Sequence, residues 1–204
     1  MAKMIDKKPS WKGEGKVWES LSTNLPGDNV VYNQREVNGR EYDFCVLAEN
    51  LGLVIIEVKG WDSDKIDVRG VDNIIVEGYD EPQTSPKKQA RAYRFAILNR
   101  IVEKYNVSPL VLDMVCYPFI TQEQYIKTKL DIVSEPEYTI FKEDIEDGEK
   151  LNEKIQHLFT RNKFIPHADF SSDLLVRIRK QLEPEFELSV VDDQNKPYSK
   201  ISIF

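Results

Sequence analysis

Four side chains in the first third of the chain have the types and spacing to gather charge at one site: Glu14, Asp43, Glu57 and Lys59. The run Leu53 to Trp61, LVIIEVKGW, and the run before it, Glu41 to Ala48, EYDFCVLA, have the β-branched and aromatic content of buried strands, yet each carries acid. Alternation along a strand puts Glu57 and Lys59 on one face with Leu53 and Ile55, and Val54, Ile56 and Val58 on the other. Folding the pair about Asn50 sets Asp43 across from Glu57, whereas a slip of one residue would move Asp43 to the opposite face. Two carboxylates about 4 Å apart at an effective dielectric near 20 repel by on the order of 4 kcal/mol, so something positive belongs between them. Lys59 and a divalent cation would both serve.

The elements that must hold these groups can be read around them. Glu49 to Gly52 is a short connector bearing Asn and Gly, which makes the two runs an antiparallel hairpin. From Ser10, a candidate N-cap, to about Asn24 the pattern is helical, and Glu14 shares a face with Val17, Trp18, Leu21 and Leu25, whereas Glu19 does not. An acid in a first turn also suits the helix dipole, so Glu14 alone has a purely structural reading. Asn29 to Gln34 reads as a first strand and Glu36 to Arg40 as the turn into the hairpin. A smaller hairpin spans Lys65 to Arg69 and Ile74 to Glu77, and the neighbouring Asp62, Asp64 and Asp67 lack the glycine and final glutamate of a calcium loop. Ser85 and Pro86 open a long helix running to Tyr105, with Asn106 as its stop. Its first turns gather Lys87, Lys88, Arg91 and Arg94, either a solvated basic end or a positive N-terminus facing phosphate. Leu110 to Pro118 has the composition of a buried strand, and the helix before it is the crossover that a parallel neighbour of the hairpin requires. Helices are expected near Gln122 to Lys129, Leu151 to Arg161 and Ser171 to Leu182, a strand at Tyr138 to Phe141, and a polar tail ending in SKISIF, itself a strand whose partner would lie beyond Phe204.

A chain of 204 residues can bury roughly 70% of its unfolded surface. It divides into a core over residues 1–130 and an extension over 131–204 packed on that core and expected to lead to a further module. No apolar run approaches the roughly 20 residues that span a bilayer, and the N-terminus lacks the apolar segment of a signal peptide, so no membrane association and a cytoplasmic location are expected. Cys45 and Cys116 lie in apolar runs and read as reduced core residues. The net charge of −7 excludes a uniformly basic surface but not nucleic-acid binding, because site carboxylates count toward it.

With these pieces placed, the sequence resembles the nuclease-related domain family of the PD-(D/E)xK nuclease superfamily. The fragments that carry the resemblance are GEGKVWESLSTNLP (Gly13 to Pro26), REYDFCVL (Arg40 to Leu47), GLVIIEVKGW (Gly52 to Trp61) and SPKKQARAY (Ser85 to Tyr93), in order over about residues 10 to 120. Tyr42 precedes the acidic position, and the third strand uses Glu57 where some relatives have Asp. The resemblance implies an α/β fold with a restriction-endonuclease-like three-layer core, a mixed central sheet flanked by helices. It further implies hydrolysis of phosphodiester bonds, in DNA ahead of RNA, with magnesium as cofactor and manganese as substitute. On that resemblance Asp43, Glu57 and the Val58 carbonyl would ligate metal, Lys59 would orient the attacking water, and Glu14 would bind a second metal or assist proton transfer. Gln89 matches the glutamine of a Q-x3-Y motif completed by Tyr93, which would bring Lys87, Lys88, Arg91, Tyr93 and Arg94 to nucleic acid. Relatives are often fused to helicase or kinase modules, so a helicase partner in cis or trans is a further expectation. The competing reading is a nuclease-like scaffold that binds or recruits without cutting, and the intact Asp43, Glu57 and Lys59 count against it.

Overall fold

The computed structural model describes the chain except residues 38, 184–185, 192–196 and 204, and it describes backbone alone at 40, 181, 186–191 and 197–203. One mixed sheet of six strands runs through the middle, in the order β1 (Lys3–Met4), β2 (Val30–Val37), β3 (Arg40–Ala48), β4 (Gly52–Val58), β7 (Val111–Cys116) and β8 (Thr139–Ile140). Strands β2, β3 and β4 pair antiparallel, whereas β7 and β8 continue parallel to β4 and β1 lies parallel to β2. A separate hairpin of β5 (Ile66–Gly70) and β6 (Asn73–Val76) stands beside it.

Alternation decides the layers. Phe44, Val46, Val54, Ile56 and Val58 point to the face covered by α1 (Lys12–Asn24) and α5 (Gly148–Asn162), where Val17, Leu21, Leu151 and Ile155 meet them. Cys45, Leu47, Leu53 and Ile55 point the other way, to α2 (Pro86–Tyr105) and α6 (Ser172–Leu182) through Ile97, Ile101, Leu174 and Ile178. The result is the three-layer α/β sandwich that the sequence leads one to expect, with the face assignments of β4 as read. A third cluster seats β6 on the loops after β7 and on α3 (Gln122–Lys127), through Trp61, Ile74, Tyr117 and Tyr125.

Turn chemistry fixes the central hairpin. Asn50 adopts φ 63° and Gly52 φ 141°, and a Cβ on Gly52 would lie 2.2 Å from the Leu110 carbonyl oxygen, so only glycine fits where β4 leaves the turn beside β7. Leu53 N–H bonds that same carbonyl at 2.9 Å, and this starts the parallel register Leu53 with Val111. Ser85 caps α2 by accepting from Lys88 N, and Asn106 ends it in the left-handed conformation, as the capping residues indicate.

Several elements differ from the reading of the sequence. Helix α1 begins at Lys12 with Trp11 as its N-cap, and Ser10 makes no cap there. Strand β2 extends to Val37, so the turn is shorter than Glu36 to Arg40. β1 and α4 (Lys142–Glu146) were not foreseen, because a two-residue strand and a five-residue helix carry no periodicity. The closing segment β10 (Pro197–Ile203) pairs antiparallel with β9 (Phe186–Val191), so it has a partner within the chain. Residues after 130 supply β8 at the sheet edge and α5 on the core. Both cysteines are buried and free. Among the described residues no helix is long and apolar enough to cross a membrane.

Candidate active site

The sheet forks where its acids stand. The β3–β4 ladder runs in register from Ala48 opposite Gly52 to Phe44 opposite Ile56 and stops there, one residue short of Asp43 and Glu57. Beyond that point β3 stays with β2 as far as Arg40, while β4 stays with β7 as far as Val58. The amide freed by this parting is used at once: Val58 N–H donates to Asp43 Oδ2 at 2.6 Å. Glu57 takes its own cation, with Lys59 Nζ 2.7 Å from Oε1. The register is the one read from sequence as far as Phe44 with Ile56, and the two acids just beyond it line one cavity, each with a partner of its own.

An open cavity of about 510 Å³ lies in the fork, lined by Glu14, Asp43, Glu57, Val58 and Lys59 together with Trp11, Lys12, Tyr79 and Phe119. Glu14 reaches it because the first turn of α1 packs against the segment after β4 with almost no space between them. A Cβ on Gly13 would come within 3.2 Å of the Gly60 Cα and 3.4 Å of Pro118 Cγ. Glycine at position 13 is what lets the helix start come this close to the segment that carries Lys59. Glu19, one turn and a half further on, is exposed and pairs with Lys8 outside the cavity.

Electrostatics mark the carboxylates as strained for charge. Asp43 is pushed up to about 7, first by burial and then by Glu57, with the Val58 amide pulling the other way. Glu14 is also raised, by burial and next by Glu41, against a hydrogen bond from Gln34 Nε2 at 3.0 Å. Three acids thus share the cavity with two lysines, Lys59 and Lys12. Among the described residues no three His, Cys, Asp or Glu side chains converge as a ready-made metal cluster. Magnesium does not need one, since it is commonly held by one or two carboxylates and keeps several waters. A hard-oxygen pair short of positive charge, Asp43 with Glu57, fits such an ion, and the excess of acid over lysine is the deficit a divalent cation would relieve.

Gln34 was missed by sequence reasoning. It sits in β2 between the pairs Asn33 with Phe44 and Arg35 with Tyr42, opposite Asp43, and it adopts φ 51°. A left-handed backbone at a non-glycine residue costs of order 1–3 kcal/mol and persists only where the surroundings impose it. Here it breaks the strand's alternation and turns the side chain toward Glu14. Nothing in the types Asn33-Gln34-Arg35 signals it.

The basic start of α2 does not enter this cavity. Lys87 is buried, its Nζ 2.9 Å from Asp113 Oδ2, and Arg94 Nη1 lies 3.0 Å from the other oxygen of the same carboxylate. Burial pulls the Lys87 ammonium down and Asp113 opposes that shift. These two cations hold α2 to β7, so the expectation that they face phosphate is corrected by Asp113, a buried acid in an apolar strand that the pattern of Leu110 to Pro118 did not flag. Lys88 pairs with Asp72, and Arg91 is exposed. Gln89 donates to Thr84 Oγ1 at 3.1 Å and does not line the cavity, and Tyr93 packs partly against the α2-side core.

The sequence profile of the nuclease-related domain matches residues 9–118, which takes in α1, the hairpin, α2 and β7. Neither a curated protein nor a solved structure matches the chain.

Proposed function

Because the chain belongs to the nuclease-related domain family, whose fold is restriction-endonuclease-like, we propose that it is a metal-dependent nuclease working at the fork between β3 and β4. The observation that carries the reading is the convergence of Glu14, Asp43, Glu57 and Lys59 on one open cavity at the point where the sheet parts. Asp43, Glu57 and the Val58 carbonyl are the groups to hold magnesium, or manganese in its place; when bound, the ion supplies Lewis acidity toward a phosphate oxygen and lowers the pKa of its water. Lys59 sets an ammonium on the cavity wall, held in direction by Glu57, where it stabilises the charge that builds on phosphorus-bound oxygens and orients the attacking water. Glu14, raised toward neutrality, is placed to carry a proton at the edge of the same space. The substrate is nucleic acid, with DNA ahead of RNA, and Arg91 and Lys88 are the exposed cations of the α2 start that remain available to its backbone.

The test is incubation with labelled linear duplex, circular and single-stranded DNA in magnesium, manganese or EDTA, for the wild type and Lys59→Ala. Cleavage that needs metal and Lys59 supports the reading. Retention of the substrates without cleavage in any metal would replace it by the binding scaffold.

A further inference from the structure

The cavity is rimmed by aromatic side chains that no packing or capping role explains. Trp11 occupies the N-cap position of α1 without any side-chain cap bond and is 72% exposed. Tyr79, in the loop between β6 and α2, is 54% exposed and follows Gly78, whose φ is 94°. Singly exposed aromatics are ordinary, but these two line the same cavity as Glu14, Asp43, Glu57 and Lys59. Phe119 completes the set. It is held by Gly13 and Gly60, and the ammonium groups of Lys12 and Lys16 lie 5.5 and 5.8 Å from its ring centre. Lys16 is engaged by Glu146 at 2.9 Å, while Lys12 lines the cavity with its charge over the ring. Asp80 and Glu81, in the same loop as Tyr79, do not line it.

Aromatic faces beside cations at a phosphate-processing centre match one kind of ligand. Bases in a duplex are stacked on each other and offer no free face, whereas unpaired bases stack on tryptophan and tyrosine regardless of sequence, and lysine accompanies their backbone. We propose that the site takes single-stranded nucleic acid, with unpaired bases stacked on Trp11 and Tyr79 while Lys12 and Lys59 face the phosphates. The proposal rests on the nuclease reading for the location of the scissile phosphate, but the stacking itself does not depend on cleavage. It concerns strand state and treats DNA and RNA alike.

The experiment measures binding in EDTA, so that nothing is cut, of fluorescein-labelled oligodeoxythymidine, oligouridine and a DNA duplex of equal length. Wild type, Trp11→Ala, Tyr79→Ala and the double variant are compared, with thermal unfolding as the check on folding. Expected are tighter binding of both single strands than of duplex, and a loss of roughly 5-fold to 100-fold in single-strand affinity for each aromatic removed, with duplex affinity changed less than about twofold. Equal losses on single strands and duplex, no loss at all, or a wild type that favours duplex would each overturn the proposal. Failure of the nuclease reading looks different: stacking-dependent binding of single strands with no cleavage in magnesium or manganese.

Discussion

Two clusters of buried charge sit on neighbouring strands of the same sheet, and they are built in opposite senses. On β7, Asp113 is 2% exposed and has two cations, Lys87 and Arg94, one on each oxygen, and Glu135 lies 4.0 Å from Lys87 Nζ, so two acids meet two cations. At the end of β4, Glu57 has one lysine, Asp43 has one backbone amide, and Glu14 has one glutamine, so acid outnumbers cation. A balanced cluster encloses its charge and holds elements together. An unbalanced one in an open cavity has the charge to receive a cation, as the proposed function requires.

The sharpest way to break the comparison is to neutralise each cluster. Lys59→Ala, Asp43→Asn or Glu57→Gln should lower metal-dependent cleavage by at least about 1000-fold, about 4 kcal/mol at the transition state, without loss of fold. In metal-free buffer Asp43→Asn should melt at or above the wild-type temperature, since it removes one of the repelling charges. Asp113→Asn should do the reverse. It leaves Lys87 with only the exposed Glu135, 4.0 Å away, takes the buried carboxylate from Arg94, and should destabilise by about 3–5 kcal/mol in denaturant titration. If Asp113→Asn melts normally and Asp43→Asn unfolds, the two clusters have been assigned the wrong way round.

A pH series sharpens the same contrast. Asp43 has its folded value raised from 3.8 to about 7, so between those values the folded state holds a proton that the unfolded state has released. Stability of the metal-free protein should therefore fall as pH rises from about 4 to about 7 and level off above that, by up to on the order of 4 kcal/mol. Asp43→Asn should flatten the curve, and magnesium at pH 8 should restore stability to the wild type. A wild-type curve that rises through this window would mean that Asp43 is stabilised as a carboxylate.

Much of this was legible in the sequence, for identifiable reasons. Period-two alternation with Asn50 and Gly52 at the turn fixed the hairpin register, and with it the meeting of Asp43 and Glu57. Ser85, Pro86 and Asn106 bounded α2. The helical spacing that separated Glu14 from Glu19 corresponds to a cavity residue and an exposed one. What was not legible depended on tertiary partners. Lys87 and Arg94 looked like free cations because their acid lies 19 or more residues away in a strand whose other side chains are apolar. Gln34 was invisible because its signal is a backbone angle, and Trp11 because the reading from Ser10 put it inside the helix, whereas it is the N-cap.

A smaller effect tests how Glu14 is brought to the fork. Gly13→Ala would press a methyl group to 3.2 Å from the Gly60 Cα, so helix and loop must separate by a few tenths of an ångström. Cleavage should fall about tenfold through kcat, since sub-ångström misplacement of a catalytic group is costly. Gln34→Ala, which frees Glu14 from its amide, should change the pH profile of cleavage more than its maximum. Equal melting temperatures for wild type and Gly13→Ala would separate positioning from stability.

The smallest expected effect concerns the cations left at the start of α2. Lys87 and Arg94 belong to Asp113, and Lys88 shares its charge with the exposed Asp72, so Arg91 is the member of that group with the freest access to a ligand. If it meets a phosphate, Arg91→Ala should weaken binding by the same factor for every sequence and lower the slope of log affinity against log salt by about 0.7 to 0.9, with single-turnover cleavage at saturating substrate unchanged. Lys88→Ala should lower the slope by less, because Asp72 already screens that ammonium. Lys87→Ala should leave the slope alone and lower the melting temperature, since it strips a buried partner from Asp113. A salt slope that answers to Lys87 and not to Arg91 would show that the balanced cluster opens to solvent in the bound state, and that charge counting on the free protein does not tell a holding cluster from a receiving one.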